Sequence, residues 1–259
     1  MNTLTLHPGR LAALGRSELT LLVRNRAALT VALLMPLLMV FVLRSTLGGV
    51  DGIGGEGATA IGEATLTGGI GMVLILVVYM NLVSAYVARR EELVLKRLRT
   101  GEAGDLEILA GTALPAAVLA VGQVLVLSLA GAAALDARMP REPLLLAAAV
   151  LGGIVLLAGA SALTSSFTRN VESAGITTLP LFLLTVLGSG LFLPADSLPG
   201  KLAAVCELLP LSGVMTLVRA GWTGGAEAGD LLTAGLTTLA WIMITVFAVQ
   251  KWFRWEPRR

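Results

Sequence analysis

Residues 143–168 read PLLLAAAVLGGIVLLAGASALTSSFT, 26 positions without an acidic, basic or histidine side chain. As a helix rising about 1.5 Å per residue, this run is roughly 39 Å long, enough to cross about 30 Å of hydrocarbon. Arg141 and Glu142 stand just before it and Arg169 just after, so charge returns where water would. Windows 27–43, 64–88, 108–135, 173–195 and 231–250 are also charge-free, at 17, 25, 28, 23 and 20 residues. The shortest is extended by Arg26 and Arg44, whose charged heads can snorkel to the interfaces. Backbone amides in hydrocarbon must bond within their own segment, and none of these runs alternates polar and apolar residues as a barrel strand does. The expected fold is an all-α polytopic membrane protein with six transmembrane helices in a domain spanning 27–250.

Composition points the same way. Nineteen Lys+Arg and 17 Asp+Glu make 14% of 259 residues charged, against about 25% in a soluble domain. With 56% hydrophobic residues, too little polar side chain exists to cover a soluble globule. The net charge of +2 gives no basic patch, so no nucleic-acid partner is expected. A single cysteine, Cys206, and a single histidine, His7, exclude an internal disulfide and a Cys/His metal site. Arg10, Arg16, Arg24 and Arg26 lie in the 26 residues before the first run, which do not resemble a cleavable signal.

Basic residues set the expected orientation. Segments 1–26, 89–107, 169–172 and 251–259 carry 4, 5, 1 and 4 Lys+Arg, whereas 44–63, 136–142 and 196–230 carry 1, 2 and 2. The richer set belongs in the cytoplasm. Residues 1–26 then form a cytoplasmic segment, 251–259 a basic cytoplasmic tail, and both termini are cytoplasmic. Within 1–26, Leu11, Leu14, Leu21 and Leu22 share an arc opposite Arg16 and Arg24, an amphipathic helix for the inner membrane surface.

Segment 196–230 is apolar but interrupted by Lys201, Glu207 and Arg219. Pro199, Gly200, Pro210 and Gly213 punctuate two short pieces, 202–209 and 211–218, neither long enough to span. The pattern predicts an external re-entrant hairpin between helices five and six, with an interfacial loop as the alternative.

No window holds Asp, Glu, Lys, Arg or His, which disfavours a proton-coupled carrier. A serine hydrolase also fails, because Val186 precedes Gly188-Ser189-Gly190 and the lone histidine lies before the first run. No G-x-x-x-x-G-K-[ST] phosphate loop exists, and the glycines at 48–57 lie in an acidic external stretch read as a flexible loop. Mild polarity remains inside the windows, at Tyr79, Asn81, Ser84, Tyr86, Gln123, Ser128 and Thr177. Thr178, Thr185 and Ser189 form a stripe on one helix face. Such groups either bond neighbouring helices or line a path for an amphipathic solute; Tyr79, Thr178, Thr185 and Ser189 are the candidate path.

After the second window stands Arg90-Glu91-Glu92-Leu93-Val94-Leu95-Lys96-Arg97-Leu98-Arg99-Thr100. This resembles the R-E-x-x-x-L-x-R-L-R segment of ABC-2 type transporter permeases, which leads into a short coupling helix docking on an ATPase. The likeness extends to Arg24-Asn25-Arg26 with Pro36 in the first run. It includes Gly190-Leu191-Phe192-Leu193-Pro194 with Leu198-Pro199 and Pro210 after the fifth. One departure is Gly101-Glu102-Ala103-Gly104-Asp105, where the family often has Pro-Leu-Ser. The chain is similar in feel to the branch containing daunorubicin-resistance permeases.

The resemblance implies the membrane subunit of an exporter in a bacterial plasma membrane. It would pair with a second permease chain as a homodimer and move a small apolar or amphipathic substrate. It implies no cofactor in this chain, with ATP and Mg held by a partner ATPase subunit. The implied coupling residues are Glu91, Arg97, Leu98, Arg99, Thr100, Gly101, Glu102 and Asp105. Two other readings stay open, a membrane-embedded lipid-modifying enzyme and a non-transporting membrane anchor of a complex. The carboxylate pairs Glu91/Glu92 and Asp105/Glu107, which the enzyme would need, read as a solvated, salt-bridged helix face.

Overall fold

The structure is a computed structural model that describes residues 56–101, 104–134, 138–188 and 205–256, with scattered positions before 56. Most of the surface helix within 1–26 and of the 27–43 run, the 48–55 glycines, Glu102, Ser189 to the end of the fifth window, and residues 202–204 of the hairpin's first piece lie outside the described residues.

Helices α1 (Glu56–Val73) and α2 (Asn81–Glu91) flank a π-helical stretch, Leu74–Met80. Helix α3 (Val94–Arg99) is short, and α4 (Asp105–Ala134) and α5 (Pro143–Phe167) are long. The remaining helices are α6 (Val171–Gly188), α7 (Ser212–Thr223) and α8 (Ala228–Trp252). All regular structure among the described residues is helical. Among the described residues, four helices are long and apolar enough to cross a membrane: Ile61–Glu91, Asp105–Ala133, Pro143–Phe167 and Ala228–Trp252. A shorter apolar helix covers Val171–Val186.

The 143–168 run forms α5, with Pro143 in its first turn, where a missing N–H costs nothing. It is the hub, packing against α2, the π stretch, α4, α6, α7 and α8. Close approach depends on small residues. A Cβ on Gly213 would stand 2.6 Å from the Ala234 carbonyl oxygen, and one on Gly221 would stand 2.7 Å from the Leu146 nitrogen. Helix α7 can therefore seat its backbone directly on α8 and α5.

Helix α7 is enclosed by α1, α5 and α8, burying Val214, Met215, Val218 and Trp222. Its leading end is held by Ser212 Oγ, which donates to the Cys206 carbonyl at 2.5 Å. Trp241, about half-way along α8, donates from Nε1 to the Leu208 carbonyl at 2.9 Å. At its trailing end, the Arg141 and Glu142 amides donate to the Trp222 and Gly221 carbonyls at 3.2 and 3.0 Å.

Outward faces of α6 and α8 are apolar. Ile176 is 74% exposed and Met243 66%, as expected of surfaces meeting lipid or another apolar partner.

Two details depart from expectation. Gly57, read as part of a loop, lies inside α1. Glu107, read as part of a solvated face, is buried, and its Oε2 accepts from the Gly104 amide at 2.9 Å. That bond satisfies an otherwise orphaned amide at the start of α4, which outweighs keeping the side chain in water.

Candidate functional site

The π stretch brings the second window's polar groups against α5. Ser161 Oγ donates to the Tyr79 carbonyl at 3.1 Å, and the Tyr79 hydroxyl pairs with Thr164 Oγ1 at 3.1 Å. π-Turns leave carbonyls displaced from the regular ladder, and the α5 hydroxyls fit that need.

Two turns below, Tyr86 donates its hydroxyl to the Leu109 carbonyl at 3.0 Å, tying α2 to α4. Arg90, at the end of α2, is 1% exposed. Its Nη1 and Nη2 donate to the carbonyls of Ser165 at 2.6 Å and Thr168 at 2.5 Å. These carbonyls belong to the last turn of α5 and its cap, where unpaired acceptors and the helix dipole favour a cation. Arg90 thus clamps α2 to the α5 terminus.

Beyond the clamp the chain turns sharply. Leu93 has φ +59°, a left-handed conformation that a leucine adopts at a cost of about 1–2 kcal/mol. The basic segment is thus an elbow followed by α3. Helix α3 points Leu95 into the protein, fully buried, and leaves Lys96, Arg97 and Arg99 exposed, with Leu98 half-buried. Thr100 Oγ1 donates to the Arg97 carbonyl at 2.7 Å, and the Gly101 amide to the Leu98 carbonyl at 3.1 Å, closing the helix. Arg99 Nε meets Asp105 Oδ1 at 3.1 Å, closing the loop between α3 and α4.

Arg97, Leu98, Thr100 and Gly101 thus share one small outward element with Glu91 exposed beside it. Arg99 and Asp105 are instead occupied with each other. Arg97 has no ion-pair partner among the described residues.

The described residues of the candidate path are buried. Tyr79, Thr178 and Thr185 are each 1% exposed. Thr178 Oγ1 donates to the Ala174 carbonyl at 2.9 Å, and Thr185 Oγ1 to the Leu181 carbonyl at 2.8 Å. Both hydroxyls turn back onto α6, which packs against α2, the π stretch and α5.

Reading the sequence missed Arg90, whose type matches its exposed neighbours and whose partners lie 75 and 78 positions away. It also missed the aromatic residues after α8. Phe253 stacks edge-on against Tyr86 at 6.3 Å and against Trp255 at 4.9 Å. The alternation Trp252, Phe253, Trp255 in a basic tail was the available signal.

The contacts also sort the connections by end. Arg90 reaches Thr168, and Lys96 Nζ meets Glu256 Oε1 at 2.7 Å, so 89–107, the α5–α6 connection and the end of α8 lie together. The 138–142 and α7–α8 connections gather at the other end. No curated protein matches the chain. The model of the family described as ABC-2 type transporter matches residues 10–222. The chain belongs to that family, as a multi-pass membrane permease that carries no nucleotide-binding motif and whose transport implies a partner ATPase.

Proposed function

We propose that this permease is the membrane half of an ATP-driven exporter, with a separate ATPase docking on α3. One observation carries the reading: a short basic helix, elbowed away from the spanning rods at Leu93, leaves Arg97 and Leu98 outward while Leu95 and Arg90 root it in the protein. A rigid protruding element with a free charge and an apolar shoulder is suited to transmit a partner's motion. The basic end lies in the cytoplasm, by the asymmetry of lysine and arginine, and both termini with it.

Two copies of the chain pair, six spans each, in a bacterial plasma membrane. The buried α7, whose leading end sits half-way along α8, is the return arm of a re-entrant hairpin. The cargo is apolar or amphipathic, as in the drug-resistance branch, because the charge-free windows offer nothing to compensate an ion. Tyr79, Thr178, Thr185 and Ser189 line its path once α6 moves off α2. The partner binds ATP and Mg.

Arg97 is the cleanest probe, since reversing Arg99 would also break its Asp105 contact. When the natively expressed permease is purified, Arg97→Glu is expected to lower ATPase recovery about tenfold, equivalent to roughly 1.4 kcal/mol. Undiminished recovery with normal insertion would remove α3 as the docking element.

A further inference from the structure

The four residues after α8 fold back onto α3. Phe253 and Trp255 pack on a small apolar cluster built from Leu82, Tyr86, Leu109 and Val249, separate from the main core. The guanidinium carbon of Arg99 lies 4.8 Å from the Trp255 ring centroid. Glu256 pairs with Lys96, and the Arg254 amide donates to Ser166 Oγ at 3.4 Å. These contacts come from four different side chains or backbone groups, and together they reach α2, α3, α4 and α5. Residues 253–256 lie beyond the stretch matched by the family, which ends at 222.

We propose that residues 253–256 are a strap that fixes α3 to the end of α8 and gives the ATPase a second route into the membrane. This rests on the reading of α3 as the docking element. The covalent route from α3 runs back through the Leu93 elbow into α2. The strap instead passes movement to α8. Helix α8 holds the far-end hairpin through Trp241 to Leu208 and through the close seat of Gly213 on Ala234. Thus α3, strap, α8 and α7 make one contiguous packed path from the docking end toward the opposite face. Trp255 and Glu256 are positioning residues. Trp255 holds the Arg99 guanidinium over its ring face, an attraction that favours a tryptophan, and leaves Arg97 to the partner.

Hydrogen exchange of the full-length permease in lipid nanodiscs reads the strap without any ATPase. Trp255→Ala is expected to speed amide exchange in residues 94–101 about tenfold. Trp255→Phe, which keeps a ring face, should restore most of the protection. Trp252→Ala should change nothing there, because Trp252 is exposed and its nearest cation is Lys251, at 5.8 Å. Should the alanine variant fail to fold, Glu256→Lys serves instead. It should loosen α3, and adding Lys96→Glu should restore it. Unchanged exchange of 94–101 in both Trp255→Ala and Glu256→Lys would overturn the strap.

In the co-purified complex, Trp255→Ala should lose ATPase occupancy severalfold. Loosened α3 with full occupancy and normal transport would also overturn the proposal, reducing the strap to a staple. Failure of the docking reading would look different, with Arg97→Glu leaving ATPase recovery intact while strap variants still loosened α3.

Discussion

Two polar regions of this permease obey opposite rules. At the α3 end, side chains reach across elements: Arg90 bonds carbonyls 75 and 78 residues away, and Lys96 meets Glu256 from 160 positions distant. Along α6, the hydroxyls of Thr178 and Thr185 bond carbonyls three or four residues back on their own helix. Long-range bonds make separate helices move as one body. Local bonds satisfy a polar atom in hydrocarbon and leave the helix free to slide. Under the proposed function, the first pattern suits a transmission end and the second suits a face that parts and closes around a solute.

Breaking the long-range set should have the larger effect. Arg90→Ala removes two charge-assisted bonds, each about 1.5–3 kcal/mol, and strands the Ser165 and Thr168 carbonyls. A loss of about 3 kcal/mol or more is expected in reversible unfolding of the detergent-solubilised chain, with Arg90→Lys recovering part of it. The lysine's single ammonium cannot reproduce the forked geometry. A loss below about 1 kcal/mol would mean that α2 and α5 are held by packing alone.

The smaller effect sharpens the other half of the comparison. Thr178→Val combined with Thr185→Val removes two hydroxyls whose partners are local. Side-chain hydrogen bonds within membranes average about 0.6 kcal/mol, so stability should fall by only about 1 kcal/mol. Transport of an amphipathic dye by the reconstituted complex should fall more than stability does. Equal export by the double variant and the parent would make the stripe packing and nothing else.

Much of this was legible in the sequence, for reasons that also mark where reading stopped. Charge beside hydrocarbon placed α5 within a residue at both ends, because Glu142 and Arg169 cannot follow it inward without losing water. The same rule started the second window at 64 and missed the turns of α1 before it. Glu56 and Glu63 can continue a helix past the hydrocarbon, since backbone bonding does not depend on the side chain's solvent. Of the two short apolar pieces read as a re-entrant hairpin, the second falls at α7, a buried helix of 12 residues. The elbow was not legible. Leucine carries no preference for φ +59°, and only the packing of Leu95 and the Arg90 clamp impose it. Nor could Arg90 be told from Arg97: both are arginines in the basic segment after an apolar run, and their fates depend on where the end of α5 lands.

The most direct measurement puts a single cysteine at either end of the molecule. In a Cys206→Ser background, Arg97→Cys and Met139→Cys each present an exposed site, on α3 and on the 138–142 connection at the opposite end. Bismaleimide cross-linking in native membranes is expected to join position 97 to an ABC ATPase subunit and to join position 139 to none. An impermeant maleimide added outside intact cells should label 139 alone. ATPase captured at 139, or external labelling at 97 without capture, would contradict docking on α3 and reverse the membrane orientation on which it depends.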